Sequence, residues 1–482
     1  MLPSVPNPIR FLVSSVGFVL SWLGIIDRQR ARRTTDLAWP RIVTGIARMS
    51  KNAVDVAMVG IAVGSAGIAG VGFAGPFWGL GFAIGGGIAA GTIALVSQRY
   101  GAGEHDGIGQ TVRSSTAVVV GLTLPVTAMF WVLAPDLVGL MTSDPRAAEL
   151  GASYLQVVSL GMPFAALNLI GSRVFIGFND ARTPMILRSA GAVANGLINA
   201  ALIFGLGMGV VGAAIGTVLS NAVVCSVFAT GLVAGRFPGI GEFPVRIDPL
   251  GSYVDREFVS QLVEIGTPVM GRNLVWTVAE FPMLAIVGLF GTEVVAAYVI
   301  ARRIWGLMNT PGWGFGLASS SLVGQELGRD HEETAEAYGF EIVKFAVGVY
   351  LLSAAVVFVL SEPIVRAFVD SPTDPAIPVA VSMVSAACIA IVFQGVTGGA
   401  AGPLDASGDT RWPFASQAIG TFCVAIPIAY LGATTPLGVW GIYLSFAAET
   451  TVPAVLNYYR LATGEWKRVS RSYRPGASPA DD

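Results

Sequence analysis

Apolar stretches of membrane-spanning length recur from one end of the chain to the other, separated by short polar segments. A bilayer's hydrocarbon core takes about 20 mostly apolar residues of helix. The pattern predicts spans near residues 40–63, 70–97, 114–134, 149–177, 185–204 and 211–233. It predicts six more near 259–290, 294–324, 339–361, 377–403, 413–431 and 437–459. Ahead of these twelve core helices lies one further apolar segment, 9–26. It reads as a retained helix, with an interfacial helix or a removed signal as the alternatives. The predicted fold is an all-α polytopic membrane protein, with the lipid bilayer as its solvent.

Composition agrees. Of 482 residues 53% are hydrophobic and only 12% charged, with a mean hydropathy of +0.67. A soluble domain carries about twice that charge. A net charge of −2 argues against nucleic acid as a partner. Cys225, Cys388 and Cys423 sit in apolar stretches and form no CxxC pair, so they read as small buried hydrophobes. His105 and His331 lie in polar loops, which leaves little for a transition-metal site.

The basic residues fix an expected topology. If Arg28, Arg30, Arg32 and Arg33 are inside, one face collects Arg99, Arg113, Arg182, Arg188, Arg236, Arg246, Arg256, Arg329, Lys344, Arg411, Arg460 and the tail up to Arg474. The opposite face keeps only Arg146 and Arg366. Cytoplasmic loops hold the Lys and Arg, so both core termini are expected in the cytoplasm of a prokaryotic cell membrane.

The chain also repeats itself. Leu95–Gly101 recurs as Leu322–Gly328, Trp78-Gly79 as Trp305-Gly306, Asn179–Pro184 as Gly408–Pro413, and Gly209–Gly212 as Gly438–Gly441. Four matches in one order, at offsets of 227 to 229 residues, indicate a duplication of six spans. The expected organisation is an extension 1–35, an N-lobe 36–233, a cytoplasmic linker 234–258, a C-lobe 259–460 and a tail 461–482. Parallel halves of this kind are a recurring plan for secondary transporters.

No GxxxxGK[ST] phosphate loop is present. The GxGxxG match at Gly207–Gly212 lies between two apolar helices rather than after a strand. No cofactor is expected, and transport would run on an ion gradient. A membrane-embedded enzyme would need a metal or nucleophile constellation, and none is recognisable. Intramembrane acids are the remaining chemistry, because a carboxylate in the bilayer needs a pathway, a partner or a proton. Asp55 lies mid-span in the first core helix and Glu280 in the seventh, 225 residues later, with Met58 and Met283 in the same register. Pairing with Arg48 or Arg272 is the plainer account of them. Glu449 in the last span is a third acid, with a first-half counterpart near Asn221.

These residues resemble the multidrug and toxic compound extrusion (MATE) family, in its prokaryotic DinF-like form, over about residues 36–460. The marks are Asp55-x-x-Met58-Val59-Gly60, the helix ends at Gln98 and Gln325, and the loops at Asp180 and Asp409. The resemblance implies two six-helix lobes across a cleft, and alternating access that exports cationic or amphipathic drugs as Na⁺ or H⁺ enters. It implies an ion site in the first lobe, with Asp55, Asn195, Asn199 and Thr217 at the matching positions. Asn199 stands where the family has Asp, which leaves one carboxylate. Such a site would hold Na⁺ less strongly than two carboxylates would and would also suit a single proton on Asp55. Interhelical hydrogen bonding is the plain alternative for the two asparagines. Glu280 and Glu449 would serve coupling or substrate in the second lobe, and a monomer is expected. The rival cargo is a lipid-linked sugar, whose diphosphate would need Arg173, Arg272, Arg302 and Arg303.

Overall fold

The computed structural model describes residues 7–237, 241–368 and 375–473. Arg474 and the rest of the tail beyond it lie outside the described residues, as do 238–240 of the expected linker. The first part of the chain forms α1 (Pro8–Trp22), α2 (Arg28–Val63), α3 (Ser65–Ala102), α4 (His105–Gly139), α5 (Pro145–Ser159), α6 (Met162–Gly177), α7 (Arg182–Ala200) and α8 (Gly209–Ala234). A wide π turn, Ala201–Gly205, continues α7. A two-stranded hairpin follows, β1 (Arg236–Phe237) on β2 (Gly241–Glu242). Then come α9 (Arg256–Gly288), α10 (Thr292–Met308), α11 (Thr310–Gly328), α12 (Glu332–Val359), α13 (Ser361–Arg366), α14 (Ala376–Ser407), α15 (Arg411–Ala418), α16 (Ile426–Thr434), α17 (Trp440–Thr463) and α18 (Glu465–Arg471). The π turn Ile419–Ala425 joins α15 to α16.

Helix ends follow local chemistry. Asn7 accepts from the backbone N–H groups of Ile9 and Arg10, and Asp144 from those of Arg146 and Ala147, each ahead of a proline in the first turn. These are side-chain N-caps, with proline where no donor is needed. Among the described residues, seven helices are long and apolar enough to cross a membrane, and the bent pair α5–α6 passes the same test together. The expected span 149–177 is therefore two helices meeting at 48°, with Pro163 opening the second. The expected span 294–324 is likewise broken at Asn309, where Pro311 removes a backbone donor. The helices that fail the apolarity test include α9 and α17, which carry charge in mid-length.

The chain divides into two compact units, residues 43–270 and residues 1–42 with 271–482. In the first, α3 is the central helix, packed by α4, α5 and α6. In the second, α14 holds the same place among α10, α11, α12 and α17. The segment foreseen at 9–26 is α1, which lies on α12 in that second unit. Gly17 faces the Phe345 ring there, and Gly348 faces Leu20 and Val16.

The backbone carries the duplication independently of side chains. Left-handed residues pair as Gly64 with Gly291, Gly103 with Asp330, Asn179 with Gly408, Gly209 with Gly438, and Gly235 with Gly464. The first two pairs are 227 residues apart and the last three 229. Asn179 and Asp330 show that the turn, not the glycine, is what both halves keep. In one such turn Asp409 binds Arg460 Nε at 2.6 Å. Burial pushes its carboxyl above the ordinary range, against the pull of that guanidinium.

Close packing in the second unit rests on small residues. A Cβ on Gly441 of α17 would stand 2.5 Å from Gly432 Cα of α16. Gly441→Ala should therefore force these helices apart and cost about 1–3 kcal/mol. Gly121→Ala in α4, where a Cβ meets nothing within 4 Å, should cost nothing. Thermal unfolding of the two purified variants in detergent checks the contrast, and equal melting temperatures would refute the contact.

Candidate functional site

Within unit 43–270, α2, α5, α7 and α8 bring one polar cluster together. Asp55 is buried, with 8% of its surface accessible. Its Oδ1 accepts from Asn199 Nδ2 at 2.8 Å and its Oδ2 from Lys51 Nζ at 2.7 Å. Asn199 Nδ2 also reaches Asn195 Oδ1 at 3.3 Å. Asn195 Nδ2 in turn reaches Thr217 Oγ1 at 3.4 Å and Ser220 Oγ at 3.2 Å. Tyr154 lies beside the Thr217 side chain and in the field of Asp55.

Helical spacing explains each placement. Residues three and four apart share a face, so Lys51 and Asp55 meet along α2, Asn195 and Asn199 along α7, and Thr217 and Ser220 along α8. The π turn begins two residues after Asn199, where a helix loses its regular bonding at a place suited to function. Gly216 gives Asn199 its room, since a Cβ there would run into Asn199 Oδ1.

The four first-lobe positions therefore lie in one hydrogen-bonded cluster. Asp55 is paired, and its partner is Lys51 rather than Arg48. The sequence reading missed Lys51, although the Lys51-x-x-x-Asp55 spacing was there to be read. It also missed Tyr154, for which no sequence signal exists, because α5 reaches the cluster only through the tertiary fold.

The second-lobe acids do not repeat this arrangement. Glu280 is exposed, whereas Asp55 is buried, so the matched register does not give matched surroundings. The other positions of the cluster differ as well at the 229-residue offset. Asn195, Asn199 and Thr217 fall on Val424, Ile428 and Phe446, which offer a carboxylate nothing. Glu449 falls on Ser220, one residue from the expected Asn221, and is held by Arg302 through contacts of 3.0 to 3.4 Å. Arg302 also lies over the Tyr298 and Phe446 rings. Arg272 likewise forks onto Asp405, at 2.7 and 3.1 Å, and not onto Glu280.

Asn199 Oδ1 is buried and has no hydrogen-bond donor. With Asp55, Asn195 Oδ1 and Thr217 Oγ1 it makes an oxygen-rich set that suits a small hard cation or a proton. No group of three His, Cys, Asp or Glu residues occurs among the described residues, so the set does not suit a transition metal.

Apolar helices of membrane length around a buried acid–amide cluster define a polytopic α-helical membrane protein. A family model described as MatE matches residues 40–201 and 268–431, once in each half, and the chain belongs to that family, whose members are transporters and not enzymes. A probable multidrug resistance protein NorM of Bradyrhizobium diazoefficiens is 27% identical over 89% of this chain and 93% of its own length. The multidrug resistance protein PmpM of Pseudomonas aeruginosa is 27% identical over 91% and 92%. A solved transporter of the MOP superfamily from Pyrococcus furiosus, described as having a binding pocket of reversed polarity, has the same fold. Its TM-score is 0.84 at 22% identity, over 92% of this chain and 96% of that one.

The room around Asn199 can be tested directly. Gly216→Ala should displace the amide and cost about 1.5–3 kcal/mol, the worth of a hydrogen bond to a charged group. In Asn199→Ala the clash partner is gone, so adding Gly216→Ala should cost little more. Melting temperatures of the two single variants and the double variant measure this coupling, and strict additivity would show that the two residues do not meet.

Proposed function

We propose that the chain is a secondary active multidrug exporter, moving cationic or amphipathic drugs out as Na⁺ or H⁺ enters. The observation that carries this reading is the Asp55 carboxylate shared between Lys51 and Asn199. In that arrangement the acid is neutralised from within by an ammonium on its own helix. An incoming Na⁺ or proton takes the place of Lys51 at Oδ2, and Asn199 can turn its free oxygen towards it. Both rearrangements alter how α2 is held against α7. A ligand drives alternation only through such a difference in its interactions with the two forms. The names of the NorM and PmpM relatives support the drug cargo.

The lipid-linked sugar reading draws less support. It needs several unpaired cations for a diphosphate; of the four arginines named for it, Arg272 and Arg302 are each engaged by a carboxylate and Arg303 is exposed, which leaves Arg173, whose buried Nη1 has no hydrogen-bond partner.

The test is efflux of a fluorescent cationic dye from proteoliposomes under separately imposed Na⁺ and proton gradients. Wild type should respond to one gradient, which names the ion. Asp55→Asn should abolish the response. Lys51→Met removes the internal competitor and should lower the half-saturating ion concentration by about tenfold, the effect of about 1.4 kcal/mol. Wild-type protein that is folded yet moves dye under neither gradient would sink the reading.

A further inference from the structure

The first helix and the start of the second enclose a cleft that the exporter reading does not use. It lies between α1 and the first turns of α2, wholly within the unit that holds residues 1–42, and its volume is about 590 Å³. A volume of that order takes a small organic molecule. The two walls differ in chemistry. Phe11 and Phe18 come from α1, and Arg28 and Arg32 from α2. Arg10 stands at one end, 6.0 Å from the Trp39 ring centre and 3.5 Å from Asp36. The cleft thus carries three guanidiniums against one carboxylate.

Helical spacing sorts these side chains. Arg30 and Arg33, three residues apart, share one face of α2 and are already engaged. Arg30 forks onto Glu341 at 2.6 and 2.8 Å, and Arg33 donates to Tyr338 Oη at 2.8 Å and to Glu326 at 3.4 Å. Arg28 and Arg32, four residues apart, share another face and line the cleft. Both are exposed, and neither makes an ion pair with a described residue. On α1, Val13 and Gly17 are buried, Gly17 against Phe345 of α12. Phe11 and Phe18, seven residues apart, stand 74% and 59% exposed at the cleft.

A guanidinium pair facing an aromatic wall selects an amphiphilic anion. Guanidinium forks match the geometry of phosphate oxygens, and a small inorganic anion has no use for two phenyl rings. Depth points the same way. Arg28, Arg30, Arg32 and Arg33 are too costly to place together in hydrocarbon, and the apolar run of α2 begins only near residue 40. The cleft therefore stands at headgroup level, where basic residues flanking a span attract anionic lipid. We propose that it binds one anionic phospholipid, with the phosphate on Arg28 and Arg32 and the upper part of one acyl chain along Phe11 and Phe18. The lipid then ties α1, which packs on α12, to the start of α2.

The experiment follows binding of a phosphatidylglycerol with a fluorophore at the end of one chain, by anisotropy, to the full chain in a neutral detergent. Wild type should bind it saturably. Unlabelled dioleoylphosphatidylglycerol should displace it, whereas dioleoylphosphatidylcholine and inorganic phosphate should not. The double variant Arg28→Gln with Arg32→Gln should weaken binding by about tenfold or more, through loss of charge-assisted hydrogen bonds. It should melt at the wild-type temperature, because neither guanidinium has an ion-pair partner to lose. Phe11→Ala with Phe18→Ala should weaken binding too, and Arg146→Gln, an exposed arginine of α5, should leave it unchanged. Displacement by phosphate would make this a soluble-anion site, and displacement by phosphatidylcholine an unselective groove; either overturns the proposal. So does wild-type affinity in either double variant, weakened binding in Arg146→Gln, or a clear fall in the melting temperature of the arginine variant. Dye efflux plays no part in the readout, so the result is independent of the exporter reading.

Discussion

A carboxylate placed among apolar helices must be compensated where it stands, and the rest of unit 43–270 is arranged around that requirement. Removing an ion from water costs several kcal/mol even after relaxation. Asp55 meets that cost with two partners of different kinds. Lys51 supplies charge from its own helix, and Asn199 supplies a fixed dipole from α7. The first partner moves with α2 and the second does not. The packing of α2 on α7 is thus tied to whatever occupies the carboxylate, and the chain beyond Asn199 continues in a π turn rather than a regular helix. Asn195 accepts a second bond from the Asn199 amide and is itself tied to Thr217 and Ser220.

Duplication supplied the scaffold twice, and the two copies diverged in what they bury. The backbone turns match pair by pair along the chain, down to an Asn in one half where the other has Gly. The polar cluster does not match. Three of its positions became Val424, Ile428 and Phe446, and the fourth, Ser220, became Glu449. An acid there demanded a cation, and Arg302 provides it from α10 across 3.0 Å. The same fold position therefore holds a hydrogen-bonded hydroxyl in one half and a closed ion pair in the other.

Much of this was legible in the sequence, and the physical reasons mark where legibility stopped. The all-α polytopic class is written in apolar length, because lipid imposes that length on a span, and the duplication is written in short motifs that recur at nearly one offset. Asp55, Asn195, Asn199 and Thr217 could be assembled because helical spacing and the family resemblance gave their partners. The bend between α5 and α6 and the break at Asn309 were missed. Proline can sit inside a continuous helix, as Pro76 and Pro125 do here, so its presence alone does not mark a break. The equivalence of Glu280 with Asp55 failed for a different reason. Register along one helix says nothing of what the neighbouring helices present to it, and burial is decided there.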